Sequence, residues 1–134
     1  MPGVDEDPTA PSALPTPDSF AFFSAYDGSS WRNEVTLRTL ELFQGYEPGE
    51  YLKRISPTPL LMVVAPNDRL VAGELASAAF ETAAHPKKLV VVPGGHFDAY
   101  VGRGFEISSG AAREWFVEHL VAAVAAPSQE AAQA

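Results

Sequence analysis

Cysteine is absent from this sequence of 134 residues. That absence excludes a disulfide framework, a zinc–thiolate site and a thiol nucleophile, and it leaves the redox compartment unspecified. Basic residues are few, with nine Lys and Arg against 17 Asp and Glu, so the formal net charge is −8. Because phosphate groups repel an acidic surface, neither nucleic acid nor an anionic membrane is expected as a partner. A small neutral or cationic ligand fits this charge better.

Long apolar runs are also missing, since no stretch approaches the ~20 apolar residues that a membrane-spanning helix needs. The first residues carry Asp and Glu where a signal peptide needs Lys or Arg, and no apolar segment follows them. These features predict a cytoplasmic protein. The composition is otherwise globular, with 46% hydrophobic and 19% charged residues, and the length fits one domain.

Both ends of the chain differ in composition from its middle. Residues 1–18 contain five prolines interleaved with acidic residues, which predicts a disordered, Pro-rich leader. Residues 125–134 lack any periodic apolar pattern, which predicts a flexible tail. The folded domain is therefore expected to span residues 19–124.

Three segments of this domain show helical patterns. Residues 31–43 place apolar side chains at near-helical spacing, and Gly45 follows as a stop. Residues 48–55 predict a short second helix that begins at a proline. A final helix is expected to start at Ser108 or Ser109. Its predicted buried stripe consists of Trp115, Phe116, Leu120 and Val124.

The centre of the chain combines two continuous apolar runs with a helix between them. Residues 59–65 and 89–92 are apolar throughout, which is typical of strands buried on both faces of a parallel sheet. Residues 73–84 form an Ala-rich helical pattern that stops before Pro86. Strand, helix and strand within about thirty residues predict a right-handed βαβ unit with parallel strands, and hence an α/β fold with flanking helices.

Two ionisable residues follow the two predicted strands. Asp68 comes three residues after the first strand, and His96 comes four residues after the second. Functional groups of an open parallel sheet gather at the carboxyl ends of its strands, so these two side chains are expected to meet. A carboxylate bonded to Nδ1–H fixes the histidine tautomer and stabilises the imidazolium that forms when Nε2 takes a proton. Gly94 and Gly95 favour the tight turn that this arrangement needs.

Simpler interpretations of the same residues stay open at this point. Asp68 can make a turn with Asn67, and His96 can be a loop residue with a satisfied hydrogen bond. Asp68, His96 and Asp98 would supply metal ligands of suitable chemistry, although their spacing matches no known pattern. His85 and His119 are expected to be structural or exposed. Lys87 and Lys88 are expected to form a solvated turn between a helix and a strand. One aromatic group is more typical of the core than of a substrate pocket: Phe20, Phe22, Phe23 and Tyr26.

Three segments resemble the α/β-hydrolase superfamily: Pro-Thr-Pro-Leu-Leu-Met-Val-Val-Ala-Pro-Asn-Asp at 57–68, Pro-Lys-Lys-Leu-Val-Val-Val-Pro-Gly-Gly-His-Phe at 86–97, and Gly-Ala-Ala-Arg-Glu-Trp-Phe-Val-Glu-His-Leu at 110–120. They look like the last two strand–loop segments and the final helix of that fold, most of all in its dienelactone-hydrolase or serine-peptidase-like branch. The resemblance implies the C-terminal portion of an α/β-hydrolase fold. It carries Asp68 over as the catalytic acid and His96 as the base, and it implies no cofactor.

The sequence departs from the family at the nucleophile. In this family the order is nucleophile, acid and histidine, and the serine lies in a G-x-S-x-G elbow upstream. No such elbow occurs here, although four serines precede Asp68: Ser24, Ser29, Ser30 and Ser56. The resemblance therefore implies a truncated hydrolase of small-molecule esters, thioesters or peptides, of which this chain holds only the acid and the base. The alternative is a non-catalytic half-domain that forms homo-oligomers or binds a complementary chain through an unpaired strand edge.

Overall fold

The structure is a computed structural model that describes residues 1–25 and 30–121. Within these ranges, the regular elements in chain order are α1 (Pro17–Ser24), α2 (Leu37–Gln44), β1 (Leu60–Val64), α3 (Gly73–Thr82), β2 (Lys87–Val91) and α4 (Gly102–Phe116). Short 3-10 helices cover Pro48–Arg54 and Asp98–Tyr100, and a π-helical turn, Val117–Val121, continues α4. In the described part of the chain, no helix combines the length and the apolar character needed to cross a membrane.

The centre of the fold is the predicted βαβ unit. β1 and β2 pair in parallel, with Leu60 opposite Lys87 and Val64 opposite Val91, and α3 connects them. The parallel α/β prediction is therefore confirmed. Gly73 lets α3 begin against the end of β1, because a Cβ at this position would lie 2.6 Å from the carbonyl oxygen of Ala65. The buried apolar side chains belong to Val4, Val64, Phe80, Ala83, Val92 and Trp115.

Lys87 and Lys88 lie inside β2, so the prediction that they form a solvated turn is wrong. The Lys87 side chain is only 11% exposed, because its stem and its ammonium group are held beneath α3. Nζ donates hydrogen bonds to the carbonyl oxygens of Phe80 (2.9 Å) and Glu81 (3.2 Å). The last turn of a helix leaves carbonyls short of partners, and Lys87 bonds two of them here, although the Phe80 carbonyl also accepts from Ala83 N–H (3.1 Å).

The helix predicted for residues 31–43 begins later, at Leu37. Thr36 is its N-cap, and the Thr36 side chain accepts a hydrogen bond from the backbone N–H of Thr39. Gly45 ends the helix as expected. Apolar spacing alone extended the helix too far, because a side-chain cap decides where a helix starts. The helix expected at residues 48–55 forms at Pro48–Arg54, although as the tighter 3-10 type.

The N-terminal segment, for which a disordered leader over residues 1–18 is predicted, makes specific contacts with residues further along the chain. The side-chain amide of Asn33 accepts a hydrogen bond from Val4 N–H (2.9 Å) and donates one to Val4 O (2.8 Å). The backbone of Met1 pairs with that of Val35, and α1 begins at Pro17, ahead of the expected boundary. These hydrogen bonds satisfy backbone groups of the segment, and the disorder predicted from its small apolar area stays a prediction.

The final helix begins at Gly102, so the predicted starts at Ser108 and Ser109 are wrong. Both serines lie inside α4, where their hydroxyl groups donate to earlier backbone carbonyls, a common role for serine within a helix. Ser108 Oγ donates to Ala99 O (2.7 Å), and Ser109 Oγ donates to Phe105 O (2.5 Å).

The predicted buried stripe of this helix holds only in part. Trp115 is buried, but Phe116 and Leu120 are 58% and 59% exposed. Leu120 lies within the π-helical turn at Val117–Val121, which inserts a residue into the helical repeat and shifts this side chain from the expected face, whereas Phe116 lies just before that turn. Val124 and the predicted tail at 125–134 lie outside the described residues.

Candidate active site

Asp68 and His96 lie on the loops that leave the carboxyl ends of β1 and β2. Nδ1 of His96 is 2.8 Å from Oδ2 of Asp68, and the two side chains are 28% and 11% exposed. Because a carboxylate can only accept, Nδ1 of His96 carries a proton and donates a hydrogen bond to Asp68, which leaves Nε2 as a basic nitrogen. The expected meeting of the two side chains is confirmed, while their catalytic role stays a prediction.

The second carboxylate oxygen of Asp68 is bound by its own loop. Oδ1 accepts hydrogen bonds from the backbone N–H groups of Leu70 (2.8 Å) and Val71 (2.9 Å). Burial alone raises the pKa of the Asp68 carboxyl, but the Val71 N–H, His96 and the Leu70 N–H together outweigh burial. The net result is a pKa below the usual value, so Asp68 is ionised at neutral pH. Asp68 thus shapes its own turn and also holds the imidazole.

The loop that carries His96 depends on its glycines. Gly94 has a φ of 120°, a conformation that other residues rarely adopt. The carbonyl oxygen of Gly94 accepts a hydrogen bond from Asn67 N–H (3.1 Å), which joins this loop to the one that carries Asp68. Gly95 N–H donates to Asp98 Oδ2 (2.6 Å). The turn predicted from Gly94 and Gly95 is therefore present, and it aligns the two loops.

Asp98 binds its own loop and does not complete a metal site with Asp68 and His96. Its carboxylate accepts from a backbone N–H group, as described above. Across residues 1–25 and 30–121, no group of three or more His, Asp or Glu side chains is arranged to hold a metal ion. The metal interpretation of these three residues is therefore wrong for the described part of the chain.

A cavity of about 490 Å³ adjoins the Asp68–His96 pair. Apolar and aromatic residues from β1, α3, α4 and the loop after β2 line much of it, among them Val63, Val71, Ala76, Tyr100 and Phe105. The Tyr100 ring centroid is 6.3 Å from that of His96. Ser108 and Ser109 also line the cavity, but their hydroxyl groups donate to backbone carbonyls. Among the described residues, no serine hydroxyl makes a hydrogen bond with His96.

Aromatic residues of α1 support the histidine loop, a role that the sequence did not reveal. Phe22 stacks on Phe97 at a centroid distance of 4.4 Å, and Phe97 meets the His96 ring edge-on at 4.8 Å. Phe23 stacks on Trp31 at 5.2 Å. The expectation that the aromatic group around Phe22 is structural agrees with these contacts, although Tyr26 lies outside the described residues. The position of Phe97 directly after His96 was the available signal.

The other histidines and serines serve elsewhere. His119 packs against Trp115 at a centroid distance of 4.0 Å, and the carbonyl oxygen of His85 accepts a hydrogen bond from Ser56 Oγ (3.1 Å). Ser24 and Ser30 are exposed, and Ser29 lies outside the described residues. The structural interpretation of the two histidines agrees with these contacts.

No protein-family model matches the chain. Among curated proteins, it is similar to a thiohydrolase of Eupenicillium brefeldianum (28% identity over 79 residues) and to the uncharacterized protein YfhR of Escherichia coli (strain K12) (27% over 84 residues). These alignments cover 58% and 62% of this chain, respectively. The chain spans only 26% and 28% of the two relatives.

Solved structures extend the likeness to most of the chain. One is that of DcsB in complex with its substrate analogue, with a TM-score of 0.73, 26% identity and 88% of this chain covered. Another is the alpha/beta hydrolase GrgF from Penicillium sp. sh18, with a TM-score of 0.70, 25% identity and 90% covered. The chain spans 42% of the length of each. It therefore has an α/β-hydrolase-type fold and resembles hydrolases of that family.

Proposed function

We propose that Asp68 and His96 are the acid and base of a serine-type acyl hydrolase related to the dienelactone-hydrolase branch. The observation that carries the proposal is the 2.8 Å contact between Nδ1 of His96 and Oδ2 of Asp68, at the carboxyl ends of two parallel strands. An ionised Asp68 holds the imidazole in the tautomer whose Nε2 can take a proton, and it stabilises the imidazolium that results. His96 therefore acts as general base and then as general acid.

The chemistry runs through an acyl-enzyme. A serine oxygen bonds to the acyl carbon while its proton passes to Nε2 of His96, and the bond to the leaving oxygen, sulfur or nitrogen breaks as Nε2 returns that proton. Water then attacks the acyl carbon in the same way, with its proton passing to Nε2. The serine oxygen leaves with the proton from Nε2, and the carboxylic acid product is released. In this proposal the serine and the oxyanion donors are supplied from outside this sequence. Two observations support it: the sequence holds no G-x-S-x-G elbow, and no described serine contacts His96.

The lining of the cavity and the name of one relative support small acyl esters and thioesters as the substrate class. The cavity beside His96 offers apolar and aromatic side chains, which favour a small molecule with an apolar acyl group. One curated relative is named a thiohydrolase, which supports thioesters alongside oxygen esters. Thioesters and activated esters are therefore the first substrates to assay.

The test uses the product of the complete reading frame that encodes this chain. A fluorophosphonate probe is expected to label one serine outside residues 1–134, and labelling is expected to fall by at least about a hundredfold in His96→Ala, because the nucleophile loses its base. His85→Ala is the matched control and should label like the wild type. Absence of labelling in a folded wild-type protein would exclude the serine mechanism.

A specific observation favours a second candidate, a non-catalytic half-domain that binds another chain. In the described ranges the sheet has only two strands, and the exposed fractions of Val63 and Val91 are 37% and 52%. An unpaired strand edge is a template for a further strand. A protein that forms a stable complex with a second polypeptide, and in which no serine labels, would support this candidate over the hydrolase.

A further inference from the structure

The loop that presents His96 is closed by one acidic side chain. Asp98 Oδ2 accepts a hydrogen bond from Gly95 N–H (2.6 Å), and Asp98 N–H donates to Gly95 O (3.3 Å). His96 and Phe97 are the two residues enclosed by this reciprocal pair. Hydrogen bonds between a backbone N–H and a carboxylate are shorter and stronger than neutral ones, so this closure restricts the backbone of His96 on both sides.

Neighbouring glycines accommodate Asp98 closely. A Cβ at Gly94 would overlap the Asp98 carboxylate, so the side chain occupies the space that any other residue at position 94 would fill. A Cβ at Gly104, in the first turn of α4, would overlap the carbonyl oxygen of Asp98. Asp98 is exposed to solvent, but it lies directly against the glycine turn and the start of α4, and only glycine at positions 94 and 104 leaves room for it.

A continuous set of bonds leads from Asp98 to the partner of His96. Asp98 holds Gly95; the adjacent Gly94 accepts a hydrogen bond from Asn67 N–H (3.1 Å); and Asn67 precedes Asp68 in the chain. The Asp98–Gly95 and Asn67–Gly94 hydrogen bonds thus fix the position of the His96 loop relative to Asp68. A shift of about 1 Å in this position would lengthen the distance between His96 Nδ1 and Asp68 Oδ2 beyond that of a hydrogen bond.

We propose that Asp98 is a positioning residue that holds His96 against Asp68. It does not touch the reacting atoms; it sets the geometry of the residue that does. Its catalytic meaning rests on the proposed hydrolase function, but the positioning itself is a property of the His96–Asp68 contact and can be measured without substrate.

The experiment follows the Nδ1 proton of His96 by ¹⁵N-edited NMR in the product of the complete reading frame. In Asp98→Ala, this proton is expected to exchange with solvent at least about tenfold faster than in the wild type, because its bond to Asp68 opens more often. Asp98→Asn keeps an oxygen acceptor of the same shape and should fall between the two. Asp98→Glu keeps the charge but displaces it, so it should resemble the alanine variant.

Asp7→Ala is the matched control, because Asp7 closes a similar short turn by accepting from Thr9 N–H (2.8 Å) on the exposed N-terminal segment. Its effect on the His96 proton should stay within twofold. If Asp98→Ala does not fold, the Asp98→Asn and Asp98→Glu variants test the positioning role instead. Protection of the Val92 amide from exchange checks that the β1–β2 edge of each variant is intact, because Val92 N–H donates to Val64 O.

An unchanged His96 proton in folded Asp98 variants would overturn the positioning role. A second readout separates this result from failure of the hydrolase proposal. If a serine labels with fluorophosphonate, labelling should slow at least tenfold in Asp98→Ala and recover in part in Asp98→Asn. If no serine labels even in the wild type, the hydrolase proposal fails, while the NMR comparison still tests the role of Asp98.

Discussion

At the scale of single residues, the Asp68 carboxylate binds three donors from two loops, so the loss of one donor should be measurable. His96→Ala removes the only side-chain donor among them, and the pKa of Asp68 is expected to rise toward its usual value of 3.8. The Leu70 and Val71 N–H groups remain, so the rise should be partial. A carboxyl titration by ¹³C NMR measures the change. An identical Asp68 titration in wild type and variant would show that His96 does not lower the pKa of Asp68.

The lowered pKa of Asp68 also links stability to pH. A group whose pKa is lower in the folded than in the unfolded state stabilises the fold above its unfolded pKa, and this contribution disappears as the pH falls through the folded pKa. Asp68→Asn is therefore expected to lower the free energy of unfolding at pH 7 by about 1–3 kcal/mol. The difference from the wild type should shrink below about pH 4. Urea denaturation at pH 7 and pH 3 tests this, and a constant difference would count against it.

An acid–base pair such as the one proposed for Asp68 and His96 needs a nucleophile to accelerate acyl hydrolysis. The isolated chain of 134 residues is expected to hydrolyse p-nitrophenyl acetate no faster than free imidazole at the same concentration, because no described serine is bonded to His96. His96→Ala should leave this rate unchanged. Stoichiometric fluorophosphonate labelling of the isolated chain, abolished in His96→Ala, would reveal a nucleophile within it, and Ser29 or Ser30 would be examined first.

The sequence revealed Asp68 and His96 because each follows an apolar strand, and parallel strands bring their carboxyl ends to one edge. It did not reveal the groups that hold them. Val71 acts through its backbone N–H, and Asp98 acts through a turn whose shape depends on α4. Such contacts arise from backbone geometry and tertiary packing, which leave no periodic pattern in a sequence.

At the scale of elements, the βαβ unit could be predicted because its signal is local. Continuous apolar runs and an intervening Ala-rich segment suffice to specify two parallel strands and a crossover helix. Helix starts were less predictable: α2 begins after its Thr36 cap, and α4 begins six residues before Ser108 without any side-chain cap. The N-terminal segment bonds at Val4 to Asn33, some thirty residues away, and no local pattern could indicate this contact.

Two glycines of α4 provide a matched test of how this helix packs. A Cβ at Gly104 would overlap the Asp98 carbonyl oxygen, whereas a Cβ at Gly110 would meet nothing within 4 Å. Gly104→Ala is therefore expected to destabilise the protein by about 1–3 kcal/mol through overpacking. Gly110→Ala should stabilise it by about 0.5–1 kcal/mol, because alanine favours the helix. Equal effects of the two substitutions in urea denaturation would refute the close packing of α4 on the His96 loop.

At the scale of the whole molecule, the described part of the chain leaves many large apolar side chains exposed. Large apolar side chains that are more than half exposed occur in α2, α3 and β2 and in α4 with its π-helical extension: Leu37, Leu42, Phe43, Leu75, Val91, Phe105, Phe116, Val117, Leu120 and Val121. Each large apolar side chain left in water forgoes roughly 1.5–3 kcal/mol of burial, so a handful would cancel the ~5–15 kcal/mol net stability of a typical domain.

The isolated chain is therefore expected to associate, as dimers or larger oligomers, or to bind a hydrophobic dye such as ANS in a loosely packed state. Size-exclusion chromatography with light scattering measures the first outcome, and dye fluorescence measures the second. Because each copy carries a net charge of −8, added salt should strengthen association by screening the repulsion between copies. A monodisperse monomer with a cooperative melting transition above about 50 °C would contradict this expectation. The two-stranded unit would then be a complete domain, and the proposal of a non-catalytic binding module would be favoured over that of a hydrolase.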